Sequence, residues 1–415
     1  MMNIPKAEIC TCEIAIIGGG LVGMTLAIAL AEAGFETILV DEIAPETATE
    51  AAFDGRVSAI AFASRRVLQT LGLWEQLAAD AQPIDDIMVS DGRLRGGASP
   101  LFLHFDHREI GQEPLGHIVE NRHTRIALLA TARAAKRLSI LAPARAMSLT
   151  RAETGARITL KDGRIIAARL CIAADGRNSP LRQSAGIKTL GWSYGQTGIV
   201  ATVAHEKPHQ AFAQEYFLPS GPFAILPMTG NRSSLVWTEK AKAASAFLAL
   251  DEQGFDAEVA RRFGPYLGAT HVVGPRWSYP LSLQMAARYV LPRLALVGDA
   301  AHAIHPIAGQ GLNLGLRDVA ALAEVIADAG RSGSDIGSLA ILERYERWRR
   351  FDSMALAAAT DLFTRLFSND IPPLRLARDI GLALTNQLGP ARRFFMRHAG
   401  GGVGQLPRLL RGEPL

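Results

Sequence analysis

The sequence predicts an α/β protein with a Rossmann-like nucleotide-binding domain, a mostly antiparallel β-sheet and a helical C-terminal region. Three patterns predict this fold: strand, glycine turn, helix and strand over residues 14–41, short strands between 144 and 285, and helices from residue 318 to the end, broken at 368–373. A chain of 415 residues is too long for one simple core, so we expect more than one domain.

The composition is that of an ordinary globular protein. Apolar residues make up 48% of the chain and charged residues 20%, which argues against intrinsic disorder. The three cysteines, Cys10, Cys12 and Cys171, have neither zinc-site nor redox-pair spacing. We interpret them as packing residues of a protein from a reducing compartment.

One N-terminal segment is nearly long and apolar enough to be a membrane span, because residues 14–31 carry no charge. Four glycines interrupt it, and the residues before it are not the basic start of a signal peptide. We therefore interpret the segment as a buried strand, turn and helix. The expected location is the cytoplasm, either in solution or peripherally on the inner membrane face.

Positive charge is concentrated at the C-terminus. Residues 371–415 hold seven arginines, no lysine and two acidic residues, a balance of +5, whereas the whole chain carries +4. A basic tail attracts anionic surfaces such as lipid. No nucleic-acid motif accompanies it, so we expect no nucleic-acid partner. A solvated, arginine-rich helix face is the alternative interpretation.

A dinucleotide fingerprint, G-x-G-x-x-G, lies between the first predicted strand and a helix predicted over residues 21–33. Its glycines are Gly18, Gly20 and Gly23. They allow a tight turn, close approach of the backbone to a pyrophosphate, and close packing of helix on strand. The free N–H groups of the helix start can bind the phosphates.

An acidic residue follows the fingerprint at the spacing that a ribose requires. The second predicted strand, residues 37–40, ends at Asp41, whose carboxylate can bind a ribose hydroxyl. Strand alternation favours Asp41, and its neighbour Glu42 is the alternative. No second fingerprint occurs, so we expect one dinucleotide fold.

Short strands dominate the middle of the chain. Residues 144–176 are predicted to form a meander with a hairpin turn at Asp162-Gly163. Residues 191–285 are predicted to form a mostly antiparallel sheet with a helical insert around 241–264.

Two further strand ends carry acidic and glycine residues, Asp175-Gly176 and Gly298-Asp299. In an open sheet, ligands bind beyond the carboxyl ends of the strands. If these strands share a sheet with the first strand, both tips and the glycine turn face one cleft.

Three segments in this order resemble a known family, the para-hydroxybenzoate-hydroxylase-type, single-component FAD-dependent monooxygenases. Within it the sequence is most similar to the aromatic hydroxylases of ubiquinone biosynthesis. The segments are "CIAADGRNSPLR" (171–182), "ALVGDAAH" (295–302) and "HPIAGQGLNLGLRD" (305–318). The resemblance covers nearly the whole chain.

The resemblance implies non-covalent FAD as the cofactor. Asp299 would bind the ribityl hydroxyls, and the chain would then pass the isoalloxazine ring, where glycines permit close approach. A helix over 311–329 would point its first N–H groups at the flavin's pyrimidine edge. Pro306 would set the turn, and Asn313 would cap the helix or bind the ring edge. The residues assigned to this part of the site are Asp299, Pro306, Gly309, Gly311, Leu312 and Asn313.

Four more residues match family positions near the cofactor. Asp175 and Arg182 belong to the Asp-Gly motif, and Arg56 and Arg122 match positions used around the FAD. Surface arginines are the alternative interpretation for Arg56 and Arg122.

The sequence identifies no metal ligand and no catalytic base. His302 and His305 have poor spacing for zinc and no nearby third ligand. We interpret both as packing residues of the motif near the flavin.

The resemblance also divides the chain. It implies a FAD-binding domain in three segments, a substrate domain in two, and a helical C-terminal region. The FAD-binding segments are 1–83, 118–186 and 286–330, the substrate-domain segments are 84–117 and 187–285, and the helical region is 331–415.

The implied activity is hydroxylation of an aromatic ring. In this family NADH, NADPH or a redox partner reduces the flavin, O2 adds to it, and the flavin hydroperoxide hydroxylates an electron-rich phenol. The implied substrate is a polyprenylated phenol intermediate of ubiquinone biosynthesis, bound between the flavin and the 191–285 sheet, with residues 220–228 facing the ring. Other ubiquinone-biosynthesis proteins and a membrane surface are the further partners it suggests. A FAD monooxygenase for another aromatic substrate, or a FAD-holding assembly subunit, are the alternatives.

Overall fold

Two eight-stranded sheets organise the chain. The structure is a computed structural model that describes residues 8–49, 53–93, 97–305, 309–369 and 371–415. One sheet is built around parallel strands and the other is mostly antiparallel. A three-stranded sheet accompanies them, and helices cover the remaining faces.

The N-terminal part alternates strands and helices. Its elements are β1 (Ile9–Ile17), α1 (Leu21–Glu32), β2 (Thr37–Val40), α2 (Pro45–Thr49), β3 (Val57–Ala61), α3 (Phe62–Thr70), α4 (Trp74–Leu77), β4 (Gln82–Ile84), β5 (Asp86–Arg93), β6 (Gly97–Asp106), β7 (Gly116–Glu120), α5 (Asn121–Ala134) and β8 (Leu138–Leu141).

The middle of the chain consists mainly of strands. Its elements are β9 (Ala146–Ala152), β10 (Gly155–Leu160), β11 (Ile165–Ala173), α6 (Pro180–Ser184), β12 (Thr189–His205), β13 (Phe212–Leu218), β14 (Gly221–Met228), β15 (Arg232–Lys240), α7 (Ala241–Leu248), α8 (Glu252–Phe263) and β16 (Thr270–Ala286).

The last third is mainly helical. Its elements are β17 (Val290–Leu291), β18 (Leu294–Leu296), β19 (His302–Ala303), α9 (Gln310–Arg331), α10 (Leu339–Phe367), α11 (Pro372–Gln387), α12 (Gly389–Ala399) and α13 (Arg408–Arg411).

The first sheet has the strand order β17-β18-β11-β1-β2-β8, with β10 and β9 joined to it through β11. Strands β18, β11, β1, β2 and β8 run parallel to one another along this path, and β17 is antiparallel to β18. All four residues of β2 are buried, as expected for a parallel strand covered on both faces. The α/β prediction is therefore confirmed.

The second sheet has the order β19-β16-β12-β15-β14-β13-β5-β6. All its neighbouring pairs are antiparallel except β13 with β5. Helices α7 and α8 form the helical insert and cover one face. The antiparallel sheet, its insert and the Asp162-Gly163 hairpin were all predicted, and Gly163 has the positive φ that the turn needs.

Three predicted boundaries were wrong. Strand β1 begins at Ile9 rather than Ile14, because pairing with β11 extends to Ile9 opposite Ile165. Helix α9 spans 310–331 rather than 311–329. The C-terminal region is also interrupted at 332–338 and 400–407, where Gly333 and Gly401 adopt positive φ.

Candidate FAD and substrate site

The three predicted tips lie side by side at one edge of the first sheet. Ile17 of β1 pairs with Ala173 of β11, and Ala173 pairs with Leu296 of β18. The next residues continue this ladder: the Ala174 N–H donates to Ile17 (2.8 Å) and the Val297 N–H donates to Ala173 (3.0 Å). The glycine turn, Asp175-Gly176 and Gly298-Asp299 therefore share the carboxyl edge, as predicted.

The glycine turn brings helix α1 close to β1. Gly18 has a φ of +109°, and a Cβ on Gly23 would lie 1.9 Å from the Gly18 carbonyl oxygen. Only glycine fits this contact. No side chain caps α1 and no acidic residue occupies its first turn, so the helix start can receive an anion.

Asp41 faces the glycine turn and Glu42 does not. The Asp41 carboxylate accepts hydrogen bonds from the Gly19 N–H (2.5 Å) and the Ile43 N–H (2.7 Å). Glu42 lies 3.2 Å from Arg145 in an exposed ion pair. The placement supports Asp41 as the acid for a ribose.

Arg125 is a residue that the sequence analysis missed. It lies one turn after Arg122 on α5 and 3.5 Å from Asp54. A depression beside the glycine turn is lined by Gly19, Leu21, Met24, Pro45, Arg125, Leu128 and Leu129. Nothing in the local sequence distinguishes Arg125 from Arg122, since only the fold shows which one reaches this depression.

The two predicted arginines lie in different clusters. Arg56 pairs with Asp54 at 2.8 Å and stacks on Trp277 of the second sheet, 5.0 Å from its ring centre. Arg122 pairs with Glu120 at 2.7 Å. Glu120 also pairs with Arg232 of β15, so this second cluster joins the FAD-binding side to the substrate sheet.

Arg182 connects two of the tips. Its guanidinium is buried and donates to the carbonyl of Ala300 and to that of Arg177, both at 2.8 Å. Asp175 accepts a hydrogen bond from the Leu181 N–H, and burial raises the pKa of Asp175 despite that bond and the nearby Arg182 charge. The family motif thus holds the Asp-Gly tip against the Gly-Asp tip.

Asp299 points into the cleft. Its side chain is exposed, but protein surrounds it on most sides. This desolvation raises the pKa of Asp299, while the nearby His302 and Arg177 act in the opposite direction. An accessible carboxylate at a strand end is the geometry needed to accept hydrogen bonds from a diol.

A buried ionic cluster supports the Gly-Asp tip. Asp318 of α9 accepts hydrogen bonds from the Gly298 N–H (2.9 Å), His302 (2.6 Å) and Arg349 of α10 (2.8 Å). Burial alone would raise the pKa of Asp318, but His302 and Arg349 lower it below its usual range. His302 is thus a buried member of this ionic cluster, and the interpretation that it packs near the flavin stays a prediction. The sequence analysis gave Asp318 no role, although this residue ends the signature segment 305–318.

The start of α9 lies where the resemblance places the flavin ring. Gly309 is left-handed, with φ +61°. A Cβ on Gly311 would meet no atom of the described residues within 4 Å, so open space adjoins Gly311 in that part of the chain. Leu312 is half-buried against the core, and Pro306 lies outside the described residues.

Asn313 neither caps α9 nor points at open space. Its amide oxygen accepts from the Ala61 N–H (2.8 Å), and its amide nitrogen donates to Ala59 (2.9 Å) and Gly309 (3.1 Å). The side chain is buried. It therefore ties the start of α9 to β3. Of the two roles expected for Asn313, the N-cap was wrong, and binding of the flavin ring edge stays a prediction.

His305 is buried, and neither ring nitrogen has a hydrogen-bond partner among the described residues. Burial lowers the pKa of His305 to about 4, so the ring is neutral at physiological pH. Tyr194 packs edge-on against it at 5.2 Å. The hydroxyl of Tyr194 in turn donates to Asp361 of α10.

One face of the second sheet looks toward the FAD-binding side. Val200, Val236 and Ala224 lie opposite one another across β12, β15 and β14, and Trp277 of β16 extends the row. Trp277 donates to the Asp54 carbonyl, which fixes the direction of this face. Ala224 and Val236 are only half-buried, whereas the alternate residues pack under α7 and α8. The row forms one wall of the candidate substrate cleft.

Neither a metal centre nor a membrane span is found in the described parts of the chain. No group of three or more His, Cys, Asp or Glu side chains there could hold a metal ion. None of the helices described combines the length and apolarity needed to cross a bilayer.

Comparison with known proteins agrees with this geometry. Residues 11–360 match the family described as "FAD binding domain". The chain is 53% identical to the ubiquinone hydroxylase UbiL of Rhodospirillum rubrum over 408 residues, 97% of this chain and 93% of that protein. It is 36% identical to the 3-demethoxyubiquinol 3-hydroxylase of Escherichia coli K12 over 389 residues, 93% of this chain and 98% of that protein.

The fold also matches solved structures. The p-nitrophenol 4-monooxygenase PnpA of Pseudomonas putida DLL-E4 superposes with a TM-score of 0.78 at 17% identity, over 95% of this chain and 99% of that one. At this identity the match concerns the fold alone.

Proposed function

Because the chain belongs to the FAD-dependent aromatic hydroxylases of ubiquinone biosynthesis, we propose that its substrate is a polyprenylated phenol intermediate of that pathway. It is a FAD-dependent monooxygenase that uses O2. NADH or NADPH is the proposed electron donor. The FAD is proposed to be held non-covalently.

The residues of the carboxyl edge fit FAD. Gly18, Gly23 and the uncapped start of α1 suit a pyrophosphate, and Asp41 lies where the adenosine ribose would follow. Asp299 offers a carboxylate for the ribityl chain, and the open space beside Gly311 accommodates a ring. Bound FAD supplies transfer of reducing equivalents from NAD(P)H and of one oxygen atom from O2.

The observation that carries this proposal is the shared edge. Three tips from strands far apart in sequence converge where a flavin would face the half-buried wall of Ala224 and Val236. A structural protein would not need an open cleft between two such walls.

The test is turnover by the purified, FAD-loaded protein. We expect NAD(P)H oxidation to depend on an added short-tail prenylphenol such as 2-farnesylphenol, with one atom of isotope-labelled O2 incorporated into the product. FAD binding without oxidation of NAD(P)H with any such phenol would support the assembly-subunit alternative. Oxidation with unprenylated phenols only would support another aromatic substrate.

We further propose that the enzyme works on a membrane surface, reached through α10 and α11. The exposed face of α10 carries Phe351, Met354, Ala355, Ala358 and Leu362, which recur at helical spacing. The first of these is 81% exposed and the last 65%.

Between residues 351 and 364 the inner face of α10 is more polar than its outer face. The buried residues of this stretch are Ser353, Ala357, Thr360 and Thr364. Helix α11 shows the same inversion: Arg378 is buried against Asp91 at 2.9 Å, whereas Ile380, Leu384 and Leu388 are exposed. An exposed apolar face of this length marks an interaction surface.

Charge favours an anionic bilayer as the partner. Over residues 339–399, the charged side chains that the structure describes as exposed are all basic. Arg344 lies before the α10 stripe, and Arg347 and Arg365 are also exposed although they pair with Glu343 and Asp361. A two-fold contact with a second copy would bring these like charges together. Anionic headgroups would instead attract them, while the apolar residues entered the interface.

The tail arginines contribute less than their sequence suggests. Arg392 pairs with Glu109 at 3.0 Å, and Arg408 pairs with Asp328 at 2.7 Å. Residues 400–415 pack on the FAD-binding side, where Trp348 donates to the Gln405 carbonyl and the Ala63 N–H donates to Gly400. The membrane surface is therefore assigned to α10 and α11 rather than to the arginines of residues 392–411.

Liposome co-sedimentation tests this surface. We expect binding to phosphatidylcholine–phosphatidylglycerol vesicles, weakened by salt and at least about tenfold weaker in the double variant Leu362→Gln, Leu384→Gln, because buried apolar area is lost. The matched control is Ile126→Gln, Met147→Gln, which removes two similarly exposed apolar side chains elsewhere. Equal binding by both double variants would contradict the assignment. So would conversion of a dimer to a monomer by the first variant alone.

A further inference from the structure

The wall of the candidate substrate cleft contains one carboxyl group that no function yet uses, that of Glu215. Residue Glu215 of β13 lies opposite Ala224 of β14 and beside Val89 of β5. Through Ala224 it continues the row of Val236 and Val200, the row that faces the FAD-binding side. Because strand residues alternate between faces, its side chain points into that cleft.

Apolar groups surround this carboxyl. On the same strand face, Phe217 packs on Phe367 of α10 with ring centres 4.1 Å apart, and Ala213 packs in the cluster with Leu226 and Met228. Glu215 has no hydrogen bond or ion pair with any of the described residues, and it is only half-buried. Arg375 of α11, which faces the same sheet, pairs with Asp91 at 3.5 Å. An unpaired carboxyl in an apolar cleft is costly, and such groups are concentrated in functional sites.

The charged neighbours on this face already have partners. Asp91 pairs with Arg378, Arg232 pairs with Glu120, and Asp361 of α10 accepts from Tyr194 and Arg365. Desolvation raises the pKa of Glu215 to about 7. The group can therefore take up or release a proton near neutral pH, as an acid–base residue must.

We propose that Glu215 is the catalytic residue that accepts the hydroxyl proton of the phenol substrate. In this step the phenol O–H bond breaks, a carboxyl O–H bond forms, and the phenol becomes a phenolate whose ring is richer in electrons. No oxidation or reduction takes place. Water reaching the half-buried carboxyl later removes the proton. This inference rests on the proposed function, since it requires a phenol as the substrate.

The experiment uses the FAD-loaded protein and 2-farnesylphenol as the probe. In wild type we expect kcat for hydroxylation to rise as the pH rises through about 7, because only the carboxylate form of Glu215 can accept the phenol proton. In Glu215→Gln that rise should disappear, and kcat for hydroxylation should fall by about 10²–10⁴-fold with a much smaller change in KM. Glu215→Asp should recover part of the rate.

Glu252→Gln, on the exposed first turn of α8, is the matched control and should behave as wild type. An active wild type together with an equally active Glu215→Gln variant would overturn this inference but leave the proposed function intact. Loss of FAD or of the thermal transition in Glu215→Gln would assign the residue a structural role instead. A wild type inactive on every prenylphenol would contradict the proposed function itself.

Discussion

Two neighbouring acids show how much one residue's direction matters. Asp41 and Glu42 end the same strand, and the sequence favoured Asp41 by alternation alone. The structure turns Asp41 onto the backbone of the glycine turn and Glu42 onto an exposed arginine. Glu42 can therefore serve as the control when the role of Asp41 in FAD binding is tested.

We expect Asp41→Ala to weaken FAD binding and Glu42→Ala to leave it unchanged. A ribose hydroxyl that loses its acceptor costs roughly 1–3 kcal/mol, which corresponds to about a 5- to 150-fold rise in Kd. Titration of the FAD-free protein with FAD, followed by flavin fluorescence, measures both variants. Equal losses in the two would mean that Asp41 is not the ribose acceptor.

The carboxylate at the Gly-Asp tip should also hold the cofactor. Asp299→Ala removes the accessible acceptor and should raise the Kd for FAD by a similar factor. Asp162→Ala, at an exposed hairpin tip of the same sheet, is the control. Unaltered FAD content after gel filtration of Asp299→Ala would show that the ribityl chain is bound elsewhere.

Among the elements, helix α9 is anchored at its first turn. Asn313 fixes that turn to β3, and residues 306–308 lie outside the described ranges. The open space next to Gly311 is therefore bounded by a well-anchored helix. A side chain there cannot be accommodated by shifting the helix.

We expect Gly311→Val to fold normally but to lose flavin binding or turnover. A Cβ at this position meets no protein atom, so the substitution should not disturb packing, whereas it would collide with a ring lying against the helix. Gly381→Val on α11 is the control, because it also places a Cβ in open space. Measured FAD content, thermal midpoint and NAD(P)H oxidation separate the two effects. A fully active Gly311→Val enzyme would remove the steric argument.

The sequence predicted elements well where local chemistry determines them. Helix α1 is bounded by a glycine turn and by Gly34 with φ +97°, and β2 was placed to the residue. The sequence prediction failed where tertiary contacts determine the partners or the direction of a side chain. Asn313 suited a helix cap by its type, but its amide bonds to two backbone groups of β3 and to the Gly309 carbonyl. Glu215 carries no motif, and only the register of β13 against β14 reveals its direction.

At the scale of the whole molecule, Asp318 joins the parts around the site. It connects α9 to α10 through Arg349 and to the sheet edge through Gly298 and His302. Arg349 also pairs with the half-exposed Asp352. The two acids therefore share a partner but differ in burial.

We expect Asp318→Asn to destabilise the protein by about 3–5 kcal/mol, because it leaves buried charge unpaired. Asp352→Asn should cost about 1 kcal/mol or less, because that pair is partly screened by water. Thermal or urea unfolding measures both. A smaller loss of unfolding free energy for Asp318→Asn than for Asp352→Asn would contradict the conclusion that the buried pair contributes more to stability.

The same carboxylate predicts a pH dependence. The pKa of Asp318 is lowered in the folded protein, so its contribution is fully present above the unfolded value of about 3.9. It is lost as the pH falls through the folded pKa. Acid unfolding of Asp318→Asn should therefore depend less steeply on pH in this range than that of wild type.

The central position of β11 has a consequence for biosynthesis of the chain. Strand β11 lies between β1, whose Ile17 emerges from the ribosome early, and β18, whose Leu294 emerges some 120 residues after Cys171, its partner. Until then residues 171–173 of β11 are unpaired on that side, because β10 pairs only with residues 165–168, and this short edge is open to pairing with other nascent chains. Because two of the three cofactor tips exist before that moment and the third does not, FAD cannot assist folding until most of the chain has been synthesised. If synthesis stops while the strands of the second sheet are being translated, the fragment released should be prone to aggregation and free of FAD. The yellow colour of bound flavin should therefore come only from completed chains.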